Sequence, residues 1–142
     1  MLIEHLAIIV AALFAGAAIY VNVAEQPSRL ALPDAAMLIQ WQRSYSNAAK
    51  MQASLALLGG VLGFAAFWSS GGWLWVLGAL VLLSAWPFTL IVIKPVNDAL
   101  NATESTAAST ETRRLVEKWG SLHAGRSAIG VAATLIYLLA AL

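Results

Sequence analysis

The chain contains no cysteine. That excludes disulfides, thiolate metal ligands, iron–sulfur clusters and thiol catalysis. Charge is scarce as well: 11% of the 142 residues are Asp, Glu, Lys or Arg, against about a quarter in soluble domains. The net charge is only +1, which leaves no basic surface for nucleic acid, and none is expected as a partner. No proline or glycine stands between Pro33 and Gly59, so nothing interrupts a helix there. No internal repeat is visible, and the one low-complexity tract is the Ala/Ser/Thr stretch 102–112.

What the chain has in quantity is apolar residues, 61% of the total. Its length suits one domain rather than two. A bilayer crossing needs about 20 mainly apolar residues, and four segments qualify: about Leu6–Ala24, Met51–Trp68, Trp73–Ile93 and Ala124–Leu142. The expected fold is an all-α integral membrane four-helix bundle, with residues 1–142 as a single domain. Glu4 and the lack of Lys or Arg before the first segment predict a retained helix rather than a cleaved signal peptide.

The eight Lys and Arg fall in two places. Arg29, Arg43 and Lys50 lie between the first and second spans; Lys94, Arg113, Arg114, Lys118 and Arg126 lie between the third and fourth. The positive-inside rule places both long connections in the cytoplasm and both termini outside an inner (plasma) membrane. Pro33-Asp34 predicts the start of a helix running straight into the second span. Thr103 with Thr106 to Leu122 predicts a similar extension before the fourth, each reaching roughly 15–30 Å beyond the bilayer. Ser69–Gly72 predicts a tight hairpin between spans two and three. Pro95 is expected to end the third span, with Asn97 either capping the next segment or serving a site. Gly59 and Gly63 form a G-x-x-x-G pair, expected to pack within one bundle, with a homo-oligomer seam as the alternative.

Nearly every polar residue close to a span sits at one end of this bundle. Asn22, Glu25 and Arg29 share a face at offsets of three and seven. Trp41 and Tyr45 are one turn apart on the second helix. Trp119, His123 and Arg126, spaced by four and three, share a face just before the last apolar run. Ionisable groups near membrane depth are costly unless they pair or line a wet cavity, and so mark function. Imidazole suits proton transfer or metal binding, whereas a lone histidine is more often a hydrogen-bonded structural group. His5 lies some seventeen residues from Asn22, about 26 Å along a helix, so the two histidines cannot share a haem or metal. Copper, iron or haem would need His123 with oxygen ligands. Trp68, Trp73, Trp75 and Trp86 read as interfacial belt and packing. Glu111, Arg113, Arg114, Glu117 and Lys118 read as a solvated face.

Three segments carry a resemblance: AGAAIYVNVAEQPSRL, WPFTLIVIKPVNDAL and LVEKWGSLHAGRSAIG. Their most specific parts are Pro95-x-Asn97-x-x-Leu100 and Trp119-x-x-x-His123-x-x-Arg126. The chain resembles, over most of its length, the anthrone oxygenase-like (noranthrone monooxygenase-like) family of small four-helix membrane proteins, many known only as a domain of unknown function. The resemblance implies a fold of four membrane helices and oxidation of an anthrone to an anthraquinone with dioxygen. Asn97, Trp119, His123 and Arg126 match recurring positions of the family, as do Glu25 and Arg29. His123 or Glu25 would then act as base and Arg126 or Arg29 would stabilise an enolate. Asn97, Trp119, Tyr45, Trp41 and Asn22 would hold a small lipophilic substrate. The alternative is a non-enzymatic membrane protein: a metal, haem or ligand binder, a transporter or an accessory subunit. Transport would require polar residues through the midplane, and the spans there hold only Ser54, Ser84, Thr89 and Thr134.

Overall fold

A computed structural model describes residues 1–142. Four helices make up almost all of it: α1 (Leu2–Leu30), α2 (Asp34–Ser70), α3 (Trp73–Ala102) and α4 (Thr110–Ala140), each long and apolar enough to cross a membrane. There is no strand. Around the bundle α1 packs on α2, α2 on α3, α3 on α4 and α4 back on α1. The 37 residues of α2 and 31 of α4 extend about 55 and 46 Å, well past a hydrocarbon core of roughly 30 Å. The chain is therefore an integral membrane four-helix bundle in which α2 and α4 outrun the apolar layer.

The connections follow from local chemistry. Gly71 and Gly72 turn the chain between α2 and α3 with φ of 76° and 89°, a region that side-chain-bearing residues avoid. The start of α4 differs from expectation. Thr103 leaves the helix in extended geometry, Ser105–Ala107 makes one 3-10 turn, and α4 begins only at Thr110. Ser109 sets that start: its N–H donates to Thr112 Oγ1 at 3.1 Å, half of a capping box.

Arg113 also departs from the solvated face assigned to it. Its guanidinium donates to Asp34 Oδ1 at 2.7 Å and to the carbonyls of Leu30 and Leu32 at 2.6 Å each. The last carbonyls of a helix lack intrahelical donors and attract a cation. Arg113 thus ties the end of α1 and the beginning of α2 to α4.

Pro95 does not end α3. The helix runs through it to Ala102 by way of a π turn at Thr89–Ile93, where the Lys94 N–H reaches the Thr89 carbonyl. The same device appears in α1, where Val21–Glu25 forms a π turn ahead of Pro27. A proline ring clashes with the carbonyl four residues back. One extra residue in the preceding turn widens the helix and relieves that clash, so the helix survives.

Two apolar clusters fill the bundle. One, towards the glycine turn, gathers Phe14, Leu82, Trp75 and Tyr137 with small residues such as Ala11 and Ala133. The other gathers Met37, Leu38, Trp41, Ile93, Leu100 and Trp119. Gly59 and Gly63 belong to the first: Gly59 lies against Leu82 and Val10, Gly63 against Tyr137 and Ala79. The Tyr137 hydroxyl donates to the Gly59 carbonyl at 2.9 Å. Both glycines face neighbours in the same chain. Close helix approach is the main source of packing energy in lipid, and Gly130 shows it most directly. A Cβ there would stand 2.8 Å from the Ala15 Cα, a backbone atom that cannot swing aside. Gly130→Ala is expected to lower stability by about 1–3 kcal/mol, read from unfolding in mixed micelles with increasing SDS. An unchanged midpoint would show that α1 and α4 are not in contact there.

Candidate functional site

Between the two apolar clusters the four helices enclose a cavity with about 380 Å³ of empty space, within the usual range for small-molecule sites. Its polar lining comes from every helix: Glu25 and Arg29 of α1, Ser44, Tyr45 and Gln52 of α2, Thr89 and Asn97 of α3, His123 and Arg126 of α4. Both π turns, Val21–Glu25 and Thr89–Ile93, contribute walls. Such turns recur at functional sites.

The face Trp119–His123–Arg126 points inward, as its spacing predicts, and all three are buried. Trp119 stacks on His123 with ring centroids 4.8 Å apart. Asn22 determines how His123 is presented. The Asn22 amide nitrogen donates to the Gly120 carbonyl at 2.8 Å, which fixes its oxygen as an acceptor. That oxygen takes hydrogen bonds from Ser127 Oγ and His123 Nδ1, each at 3.0 Å. Neutral His123 therefore carries its proton on Nδ1 and leaves the Nε2 lone pair free. Asn22 itself does not line the cavity. It sits between α1 and α4 and holds the imidazole.

Asn97 plays a comparable part on the other side. Trp119 Nε1 donates to Asn97 Oδ1 at 2.8 Å, and Asn97 Nδ2 donates to the Tyr45 hydroxyl at 2.9 Å. Asn97 is thus neither a helix cap nor a terminator. It orients Tyr45, whose own O–H proton remains unspent at the cavity wall. Trp41 does not reach the cavity. Fully buried, it stacks on Tyr45 at 4.8 Å and meets the Trp119 edge at 5.7 Å. It backs the wall that sequence pattern had it form.

The two arginines, equivalent in sequence pattern, differ here. Arg29 is saturated: Nε donates to Gln40 Oε1 at 2.7 Å, one terminal nitrogen to Gln26 Oε1 at 3.3 Å, and the other to Ser44 Oγ at 3.0 Å. Its charge is balanced by Glu25 at 3.3 Å, and the guanidinium lies over the Trp119 ring. Gln40 also donates to Glu25 Oε1 at 3.2 Å. Arg126 has no carboxylate partner. It donates once, to Thr89 Oγ1 at 3.1 Å, and its Nε is buried without an acceptor. It faces the Phe14 ring.

Sequence pattern alone did not mark Gln52 as a site residue. It is 1% exposed, and neither its amide oxygen nor its nitrogen has a partner. Buried polar atoms are normally satisfied, so Gln52 and Arg126 leave hydrogen-bonding capacity for something not in the chain. An amide deep in an apolar span was the only signal that could have found Gln52. Lys94 pairs outward with Asp98 at 2.6 Å and stays out of the cavity.

A metal fits poorly. No group of three His, Asp or Glu side chains gathers anywhere in the chain. His123, the residue singled out for copper, iron or haem, has the cationic Arg126 beside it at the cavity wall. A guanidinium opposes a bound cation.

Residues 41–136 match the family model described as Anthrone oxygenase. No curated protein and no solved structure matches the chain.

Proposed function

Because this chain belongs to the anthrone oxygenase family, we propose that it is a membrane-bound oxygenase acting on a lipophilic aromatic ketone. The observation that carries this reading is one buried cavity offering a free imidazole lone pair and an unpaired guanidinium together. A carbon acid next to a carbonyl needs both: a base for its proton and a cation for the oxygen on which charge develops.

In this reading His123 Nε2 takes the proton from the carbon activated by the ring carbonyl. Asn22 holds the imidazole in the tautomer that leaves Nε2 free. The enolate oxygen lies against Arg126, the unpaired guanidinium, rather than Arg29, whose donors are already engaged. Tyr45 O–H supplies a second donor, and the Gln52 amide a third. Trp119 and Tyr45 flank the planar rings. The carbanion then reacts with dioxygen as co-substrate. For an anthrone the balance is a methylene that loses two hydrogens and gains one oxygen, while the second oxygen atom leaves as water. The four electrons from carbon reduce one dioxygen.

The cavity lies at the end of the bundle that carries every Lys and Arg, so the site opens toward the cytoplasm, with both termini outside.

Reconstituted protein supplied with anthrone should consume dioxygen above the spontaneous rate, one molecule per anthraquinone formed. Arg126→Gln should lower kcat by about 10²-fold, as removal of an oxyanion donor does elsewhere. Uptake no faster than the spontaneous rate would reject anthrone-type oxidation, and an unaffected Arg126→Gln would reject the assigned oxyanion site.

A further inference from the structure

A second cleft, with about 470 Å³ of empty space, opens on the side of the bundle between α2 and α3. Its floor is an alanine face: Ala49, Ala53 and Ala56 of α2, at spacings of four and three, stand opposite Ala85 of α3. Short side chains on both helices leave the gap. One turn further along α2 the helices close again, where a Cβ on Gly60 would meet the Leu83 side chain at 2.6 Å. The rim is Trp86 and Leu90, which are 43% and 56% exposed. Both lie within the apolar stretch of α3, so the cleft faces acyl chains rather than water. Trp86 Nε1 reaches across it to the Ala53 carbonyl at 3.3 Å.

The inner end of this cleft is the outer end of the buried cavity. Ala49, Thr89 and Arg126 line both. Arg126 stands at the junction, with no carboxylate partner and its Nε unsatisfied. An apolar passage from the bilayer that ends on an unpaired cation matches one kind of molecule: a flat, lipid-soluble aromatic bearing an acidic hydroxyl or an electron-rich carbonyl oxygen.

We propose that the alanine cleft is the bilayer-side entrance to the cavity, through which a planar lipophile with an ionisable oxygen slides from the membrane between α2 and α3, oxygen first, to Arg126. This rests on the oxygenase reading above and extends it: substrate is drawn from the lipid, not from the cytoplasm. Trp86 is the side chain such a molecule must pass.

The test uses full-length protein in liposomes and 1,8-dihydroxyanthraquinone preloaded in the lipid, with binding followed by quenching of tryptophan fluorescence. Ala53 lines only the outer cleft. Ala53→Phe should slow association roughly tenfold or more, as expected when binding must await a conformational change, while the final quenching is retained. Trp86→Ala, which removes bulk and has no reason to fold poorly, should speed association. Unchanged rates in both variants would overturn the entrance even if anthrone turnover is intact, in which case the oxygenase reading stands alone. Absence of saturable quenching in the unaltered protein also overturns the entrance, and absence of turnover alongside it removes the oxygenase reading too.

Discussion

His123→Ala is expected to lower anthrone-dependent oxygen uptake by about 10²- to 10⁴-fold, the range for loss of a positioned general base. The expectation comes from the network around the ring. His123 touches Asn22 through Nδ1 and stacks on Trp119, and no group in the chain claims Nε2. Truncation therefore removes a base while the second apolar cluster, from Met37 to Trp119, stays intact. Asn22→Ala should show the same defect in weaker form, about 10- to 100-fold, as outer partners of a working histidine do. It should also change the tautomer, visible in the ¹⁵N shifts of the imidazole, which a purely packing role would not alter. Full activity of folded His123→Ala would leave Glu25, whose Oε2 has no hydrogen bond, as the remaining base at the cavity wall.

Arg29→Met should destabilise the fold by about 3–5 kcal/mol, because removing one member of a buried, hydrogen-bonded charge pair strands the other. Here Glu25, Gln26, Gln40 and Ser44 all lose their donor at once. Arg126→Met should go the other way. Its guanidinium is buried with an unsatisfied Nε and no carboxylate, and replacing such a group with an apolar one of similar length is neutral or stabilising by about 1–4 kcal/mol. SDS-driven unfolding of both variants measures the contrast directly. Equal effects would mean that the two arginines share one role. A stabilised, inactive Arg126→Met would identify a residue retained for what it binds rather than for what it holds together.

The sequence made the four membrane helices legible because span length and the absence of charge are local properties. The inward face Trp119–His123–Arg126 was legible for the same reason, since helical spacing alone puts three side chains on one line. The difference between Arg29 and Arg126 was not. It depends on Gln40 and Ser44, which reach Arg29 from another helix, and no periodicity in α1 or α4 reports on that. Arg113 was taken for a surface charge because its acceptors, the Leu30 and Leu32 carbonyls, lie some eighty residues away. Trp41 and Tyr45 share a helix face, yet only Tyr45 reaches the cavity, because stacking puts one ring behind the other. Pro95 was read as a terminator on a sound local rule. The rule failed because the helix absorbed the ring by adding a residue, an adjustment that leaves no mark in hydropathy.

Those added residues give the site an unusual dependence on counting. Each residue of an ordinary helix turns the chain by about 100°. Beyond each π turn, Arg29 and Asn97 occupy their places only because one more residue precedes them than an α-helix would use. Replacement of side chains within Val21–Glu25 or Thr89–Ile93 leaves that count alone. Loss of a single residue from either would let the helix relax to its regular pitch and rotate everything after it by about a quarter turn. Arg29 would swing away from Glu25, or Asn97 away from Tyr45, while the span stayed long enough and apolar enough to cross the membrane. The region tolerates change of letter far better than change of length, so lineages that keep this cavity should differ there by substitution and not by gaps.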